Sequence, residues 1–307
     1  MIELPESYVL ASQINETIVG KIIKSVSANT RKHKFATFSG DPSLYDAALS
    51  GKEIVKASFG ADASGDSVVM IQCSDPMNTI QKNPLPMNPL PMNTLPMELM
   101  SKDLMLVINT SIRYHAPGVE VAPKHQLLIE FEDSSKISFI VNIWGSMLCV
   151  PLADSAKFET KPGGNFRSPL DDTFNIQYFM EIFEATKPSL SSKVFLTTEQ
   201  RFPGIGNGAM HDIFFNARIH PKRKIMSYKA SNKDRLFHSI KSTLWYMAER
   251  GGRDTELDLF GKRGGYKTIL SSKSSGQPCR NCKSLIIKEM YLGGNIYYCP
   301  ECQPIYE

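Results

Sequence analysis

The sequence predicts an α+β chain in three consecutive parts: an N-terminal β domain, a helical domain and a C-terminal four-cysteine hairpin. Three observations predict it. Short β-rich runs bounded by polar turns dominate residues 1–155. Apolar residues at helical spacing dominate residues 165–260. Two C-x2-C pairs close the chain within residues 270–307. A chain of 307 residues, 42% of them hydrophobic, has enough apolar material for a sizeable core and divides naturally into two or three domains.

In the first part, EIVKASF and DSVVMIQC are strand candidates, and QLLIEFEDSSKISFIVNI reads as a hairpin turning at EDSSK. Cys73 and Cys149 stand alone inside apolar runs and are expected to be buried thiols. Within residues 76–100, NPLPMNPLPMNTLPM repeats with a five-residue period. Proline at that density forbids helix and central strand, so the insert is expected to be an extended surface loop. Its methionines either grip something apolar or are part of a tolerated loop expansion. The opening MIELPES is too acidic and too short of apolar length for a targeting signal. It is either the lead-in to a first strand or a chemical tool. No stretch approaches the roughly 18 apolar residues of a membrane span, so the expectation is a soluble, cytoplasmic protein.

The second part begins with DDTFNIQYFMEIFEA, which has an acidic start and apolar residues at helical spacing. SNKDRLFHSIKSTLWYMAERGG puts Leu236, Ile240, Leu244 and Met247 on one stripe, with Ser231 as the expected cap and Gly251-Gly252 as the stop. Between these segments, PGIGNG places Gly204, Gly206 and Gly208 around Asn207, just before an amphipathic run. Glycines there let backbone approach a phosphate, a helix N-terminus offers it free amides, and Asn207 adds a side-chain donor. The run ends in IHPKRK, where Lys222, Arg223 and Lys224 add attraction for a polyanion. Taken alone, the glycine turn is equally explained by helix packing.

Charge is uneven. Residues 201–307 hold 18 Lys and Arg against 9 Asp and Glu, a net +9, so the first 200 carry −5 of the total +4. A basic back half suits a polyanionic partner; solvated helix faces are the alternative.

The tail reads C-x2-C-x16-C-x2-C through Cys279, Cys282, Cys299 and Cys302. That spacing is typical of a tetrahedral zinc site, with SLII and IYY forming a hairpin around LGGN. Two disulfides are the alternative, which a cytoplasmic setting disfavours. Four thiolates leave no open position for water, so one structural zinc ion is expected.

With MIELPE at the start, PGIGNG…NARIHPKRK in the middle and GQPCRNC…GGNIYYCPECQ at the end, the chain resembles the formamidopyrimidine-DNA glycosylase/endonuclease VIII family along essentially its whole length. GGRDTELDLFG resembles that family's segment between helices and finger. The resemblance implies an N-terminal β-sandwich, a helix-two-turn-helix domain and a zinc finger, with DNA held in the cleft between them. It implies a monomer that binds double-stranded DNA carrying a damaged base or abasic site. It also implies a DNA glycosylase in which a proline amine at residue 2 attacks the sugar of a flipped nucleotide.

This chain departs from that pattern. Glu3, Pro5 and Glu6 match, but Ile2 replaces the proline. A retained Met1 would carry a primary α-amine about 3.8 Å further along the chain. Such an amine can form a Schiff base, whereas misplacement by an ångström costs about 100-fold in rate. The catalytic candidates are therefore Met1, Ile2, Glu3 and Glu6. Asp66 falls where the family has a catalytic lysine, and Asn295 where the finger has its phosphate-gripping arginine. Trp144 is either a wedge for an opened base step or a core tryptophan. The expectation is a glycosylase with weakened lyase chemistry. The alternatives are a damaged-DNA binder of the same fold and, less simply, a zinc-ribbon adaptor.

Overall fold

The computed structural model describes residues 2–62, 64–76, 103–155, 167–199 and 201–306. Met1 and the whole Asn-Pro-Leu-Pro-Met repeat lie outside the described residues.

Helix α1 (Leu4–Thr17) comes first, so MIELPES leads into a helix and not a strand. Glu3 is the N-cap, and the Glu6 carboxylate reaches back to accept from the Glu3 amide at 3.2 Å. Pro5 sits in the first turn, where a missing N–H costs no helical bond. The helix escapes pattern reading because Leu4, Glu6, Ser7, Val9, Leu10 and Ile14 are all buried. Burial on several sides leaves no single apolar stripe.

The strands and α-helix that follow to residue 151 among the described residues are β1 (Ile23–Ala28), β2 (Ala36–Phe38), α2 (Tyr45–Leu49), β3 (Glu53–Ala61), β4 (Ser67–Ser74), β5 (Asp103–Asn109), β6 (Ser111–His115), β7 (Leu127–Phe131), β8 (Lys136–Ile140) and β9 (Gly145–Pro151). They form a β-sandwich. One sheet has the order β2-β9-β5-β4-β3 and the other β1-β7-β8-β6. The expected strands are β3 and β4, and the expected hairpin is β7–β8, with Ile129 opposite Ile137. Val69, Ile71, Leu106 and Ile108 from one sheet meet Ile112, Ile129, Phe131 and Phe139 from the other. Each such side chain contributes about 1.5–3 kcal/mol on burial. Cys73 and Cys149 are buried free thiols in the same core, as expected.

The helical domain holds α3 (Ile176–Glu184), α4 (Ser192–Thr197), α5 (Asn207–Ala217) and α6 (Ala230–Glu249). Phe174, Phe179, Phe195, Phe202 and Phe214 pack against Leu236, Ile240, Leu244 and Met247 of α6. The expected stripe is thus the buried face. The cap differs: α6 begins after Lys229, whose backbone amide donates to the Asn232 side chain at 2.9 Å, while Ser231 lies inside the first turn. Gly251 and Gly252 end the helix with φ of 75° and 92°, a left-handed backbone that favours glycine. Leu4 of α1 is fully buried in this second core, which welds the sandwich to the helices.

The last hairpin pairs β10 (Ile287–Tyr291) with β11 (Gly294–Tyr298). Leu292 and Gly293 turn it with φ of 49° and 74°, the paired positive values of a tight hairpin. Ile296 packs into the helical core, while Ile286, Tyr297, Cys279 and Cys299 pack around Phe215 of α5.

Candidate functional site

Three segments meet where α1 begins. The Leu4 amide donates to the Gly204 carbonyl at 2.8 Å, and the Gly204 amide donates to the Gly65 carbonyl at 2.9 Å. The glycine turn is therefore clamped between the chain start and the β3–β4 turn. Gly204 has φ of 81°, and a Cβ there would lie 3.1 Å from that of Leu4. The turn needs glycine for backbone shape and for close approach.

Glu3 occupies the N-terminus of α5. Its carboxylate accepts from the amides of Gly206 at 3.2 Å, Gly208 at 2.9 Å and Ala209 at 2.8 Å. A fourth bond comes from Arg253 Nη1 at 3.3 Å. The amides of Gly206, Gly208 and Ala209, read from sequence as part of a phosphate cradle, thus hold a carboxylate of the chain itself. The reason is electrostatic: a helix N-terminus attracts whichever anion the fold delivers. Asn207, by contrast, is exposed and free to face a ligand.

Glu6 is bound still more tightly. Arg253 Nε and Nη2 donate to its two oxygens at 2.9 and 2.8 Å, and the Arg253 amide donates at 3.1 Å. Burial alone would raise the Glu6 pKa, but Arg253 overcomes it and holds the group below the ordinary carboxylate value. Burial likewise opposes the charge on Arg253, and Glu3 and Glu6 outweigh it, raising its pKa. Two carboxylates face one guanidinium, and the α5 N-terminus offsets the surplus negative charge. Arg253 is the residue that sequence reading missed. The signal was there: two acids delivered to a buried start need a cation, and one follows the Gly251-Gly252 stop.

The remaining candidates scatter. The Ile2 side chain is 6% exposed and belongs to the sandwich core. Asp66 is half-buried in the β3–β4 turn, its pKa raised by burial and by Asp62. Trp144 is 38% exposed at the β8–β9 turn, beside the more exposed Ile143. Of the basic run, Lys222 pairs with Glu289 of the finger hairpin. Arg223 is buried and donates to Ser227 and Asn232. Its carbonyl receives the Ser192 amide, so the Pro-Lys-Arg turn seats α4 and leaves only Lys224 solvent-facing. Asn295 pairs with Met290 across the hairpin, and its neighbour Gly294 is the position that borders Asn207.

The four tail cysteines converge. Their Sγ atoms all lie within 4.8 Å of one another, with Cys279 and Cys302 at 3.8 Å. Four thiolates about 2.3 Å from a common centre would be separated in this way, so the cluster can hold a tetrahedral metal ion. No helix among the described residues is long and apolar enough to cross a membrane.

No protein-family model matches the chain. It is 30% identical over 139 residues to the formamidopyrimidine-DNA glycosylase of Bacillus cereus strain ATCC 10987, covering 44% of this chain and 50% of that protein. It is 24% identical over 196 residues to the enzyme of that name from Enterococcus faecalis, covering 62% of this chain and 69% of that protein. The chain thus spans about half the length of several of the curated relatives it matches. Among solved structures, Lactococcus lactis Fpg in complex with abasic-site DNA is similar with a TM-score of 0.76 and 18% identity, over 98% of this chain and 99% of that one. Thermus thermophilus MutM is similar with a TM-score of 0.71 and 17% identity, over 98% of each chain. The chain is thus similar in sequence, over about half its length, to formamidopyrimidine-DNA glycosylases, and it shares the fold of Fpg and MutM over nearly all of it, with isoleucine at position 2.

Proposed function

We propose that this chain is a DNA-repair glycosylase that grips damaged duplex DNA between its sandwich and its helical and finger parts. The observation that supports it is the junction of Glu3 with the α5 N-terminus, which holds a carboxylate at the seam of the two domains, one residue from exposed Asn207. Departure of a base leaves a cation-like sugar, and a fixed negative charge beside it stabilises that transition state. Asn207 and Lys224 serve DNA phosphates, and Trp144 fills the opened step. The four cysteines hold one structural zinc ion that rigidifies the finger.

With Met1 retained, the nitrogen of Ile2 is a peptide amide and takes no part in covalent chemistry, while its side chain packs in the sandwich core. Base release then proceeds by water attack, with strand cleavage weak. A second reading, a binder of damaged DNA without catalysis, is favoured by one observation. Four hydrogen bonds already engage the Glu3 carboxylate, which leaves no lone pair for a water.

Borohydride trapping and base-release assays on duplexes carrying an oxidised base or an abasic site separate these readings. Free base without a covalent adduct is expected. An adduct mapped to Met1 would move the nucleophile to the chain start, and tight binding without release would leave the binder. Failure to bind any of these duplexes sinks the proposal. Metal analysis should return one zinc per chain, and its removal by a chelator should abolish binding.

A further inference from the structure

Lys193 of α4 is 5% exposed, yet among the described residues no carboxylate pairs with its ammonium. The only hydrogen bond described for its Nζ runs to the Tyr291 carbonyl at 2.7 Å, which leaves two of its three donors unused. Burial lowers its pKa, and no anion among the described residues offsets that. A cation kept this way is out of balance until an anion arrives.

The place it occupies is specific. A Cβ added at Gly294 of β11 would meet Lys193 Nζ at 3.5 Å and Asn207 Nδ2 at 3.7 Å. Lysine and asparagine thus flank one small space, roofed by exposed Asn207 and half-buried Gly294. Gly294 shares a strand face with Ile296, which packs into the helical core, so this face of the hairpin turns toward the helices. A side chain at 294 would fill the space, and glycine leaves it open. Lys222 also reaches the Tyr291 ring, 5.4 Å from its centroid, but Glu289 neutralises it. Lys193 is the ammonium here without such a partner.

We propose that Lys193, together with Asn207, binds a backbone phosphate of DNA, supplying from the helical side the positive charge that glycine at 294 cannot provide from the finger. This rests on the DNA-binding reading above. One ammonium donor goes to Tyr291, which fixes the side chain, and the other two point charge at the phosphate beside the Asn207 amide. Asn295 is then not the phosphate-gripping residue of the hairpin.

The test is anisotropy binding of the full chain to a duplex carrying a tetrahydrofuran abasic-site analogue, across a series of salt concentrations. Lys193→Met keeps the apolar stem and removes the charge. Its affinity should fall about tenfold, as for loss of one charge-assisted contact. The slope of log affinity against log salt should shrink by about 0.9, the value of one phosphate contact. Zinc content and thermal midpoint should not change. Lys193→Met combined with Gly294→Arg should restore both affinity and slope, since the arginine enters the vacated space. An unchanged slope in Lys193→Met, or a double variant that recovers nothing, would reduce Lys193 to a tether for Tyr291. Should Lys193→Met not fold, Gly294→Arg alone decides: a change below twofold supports an already supplied site, and a tenfold gain overturns it. Wild-type protein that ignores the duplex would sink the DNA reading and this proposal together. Wild-type binding with an unaltered Lys193→Met slope sinks this proposal alone.

Discussion

Arg253 and Glu6, 247 residues apart in sequence, form a forked ion pair with Nε–Oε1 at 2.9 Å and Nη2–Oε2 at 2.8 Å. Both side chains are almost fully buried. The fork, with the Arg253–Glu3 contact, ties the start of α1 to the segment after α6 and to the N-terminus of α5. The relative positions of sandwich and helices therefore depend on charge complementarity as much as on Leu4.

Breaking one side of that pair leaves a buried charge without its partner, which typically costs about 3–5 kcal/mol. Arg253→Met should lose that much in chemical denaturation, and Glu6→Gln somewhat less, since Arg253 keeps Glu3. The pH dependence separates the two. The Glu6 pKa is depressed from the ordinary 4.5, so its contribution is present above that value and lost as pH falls. Wild-type stability should therefore drop below about pH 4.5 more steeply than that of Glu6→Gln. Equal acid sensitivity of the two proteins would contradict this account.

Gly208 is where the clamp tolerates no side chain. An added Cβ would lie 1.5 Å from Arg253 Nη1 and 2.8 Å from Glu3 Oε1. Gly208→Ala must push the guanidinium out of its fork, adding overpacking to a damaged ion pair. A loss of at least about 3 kcal/mol is expected from the sum. Gly251→Ala is the control: its φ of 75° is left-handed, unlike that of helical Gly208, but nothing lies within 4 Å of the added carbon. It should lose only about 1 kcal/mol or so.

These two cases show what the sequence could and could not disclose. The stripe of α6, the β7–β8 hairpin and the cysteine cluster were legible because each rests on local periodicity or spacing. Helix α1 was hidden by burial on several sides. The glycine turn was legible as an anion cradle, but its anion is mostly Glu3, a partner 203 to 206 residues away that no local pattern could identify. Arg223 looked like a DNA contact by composition, yet its backbone and side chain are used to seat α4 and the start of α6. Charge in a sequence shows neither which side of a turn it occupies nor which partner it meets.

Asp212 gives a stability signal of opposite sign. Burial pushes its pKa up to about 6 from the ordinary 3.8, against bonds donated by the Ile269 and Leu270 amides. A raised folded pKa means that its favourable contribution is full below 3.8 and lost as pH rises through about 6. Asp212→Asn cannot titrate. Whatever fixed cost it carries, its stability relative to wild type should improve by up to about 3 kcal/mol between pH 3 and pH 8. Denaturation midpoints across that range measure it, and a difference independent of pH would show Asp212 to titrate normally.

Trp144 tests the DNA side directly. It lies 38% exposed at the β8–β9 turn, and its chain neighbour Gly145 donates to the Phe35 carbonyl at 3.1 Å. Phe35 is itself 54% exposed, so two aromatic side chains flank one edge of the sandwich. An indole that stacks into an opened base step contributes about 1–3 kcal/mol to binding. Trp144→Ala should therefore weaken binding to an abasic-analogue duplex by about tenfold or more while changing its affinity for intact duplex little. Unfolding free energy should stay within about 1 kcal/mol, because a partly exposed indole leaves a small cavity. In a Trp245→Phe background, Trp144 is the sole tryptophan, and its fluorescence should quench on binding the abasic duplex. A core tryptophan would behave in reverse, with stability falling by about 3–5 kcal/mol and the preference for the abasic duplex unchanged.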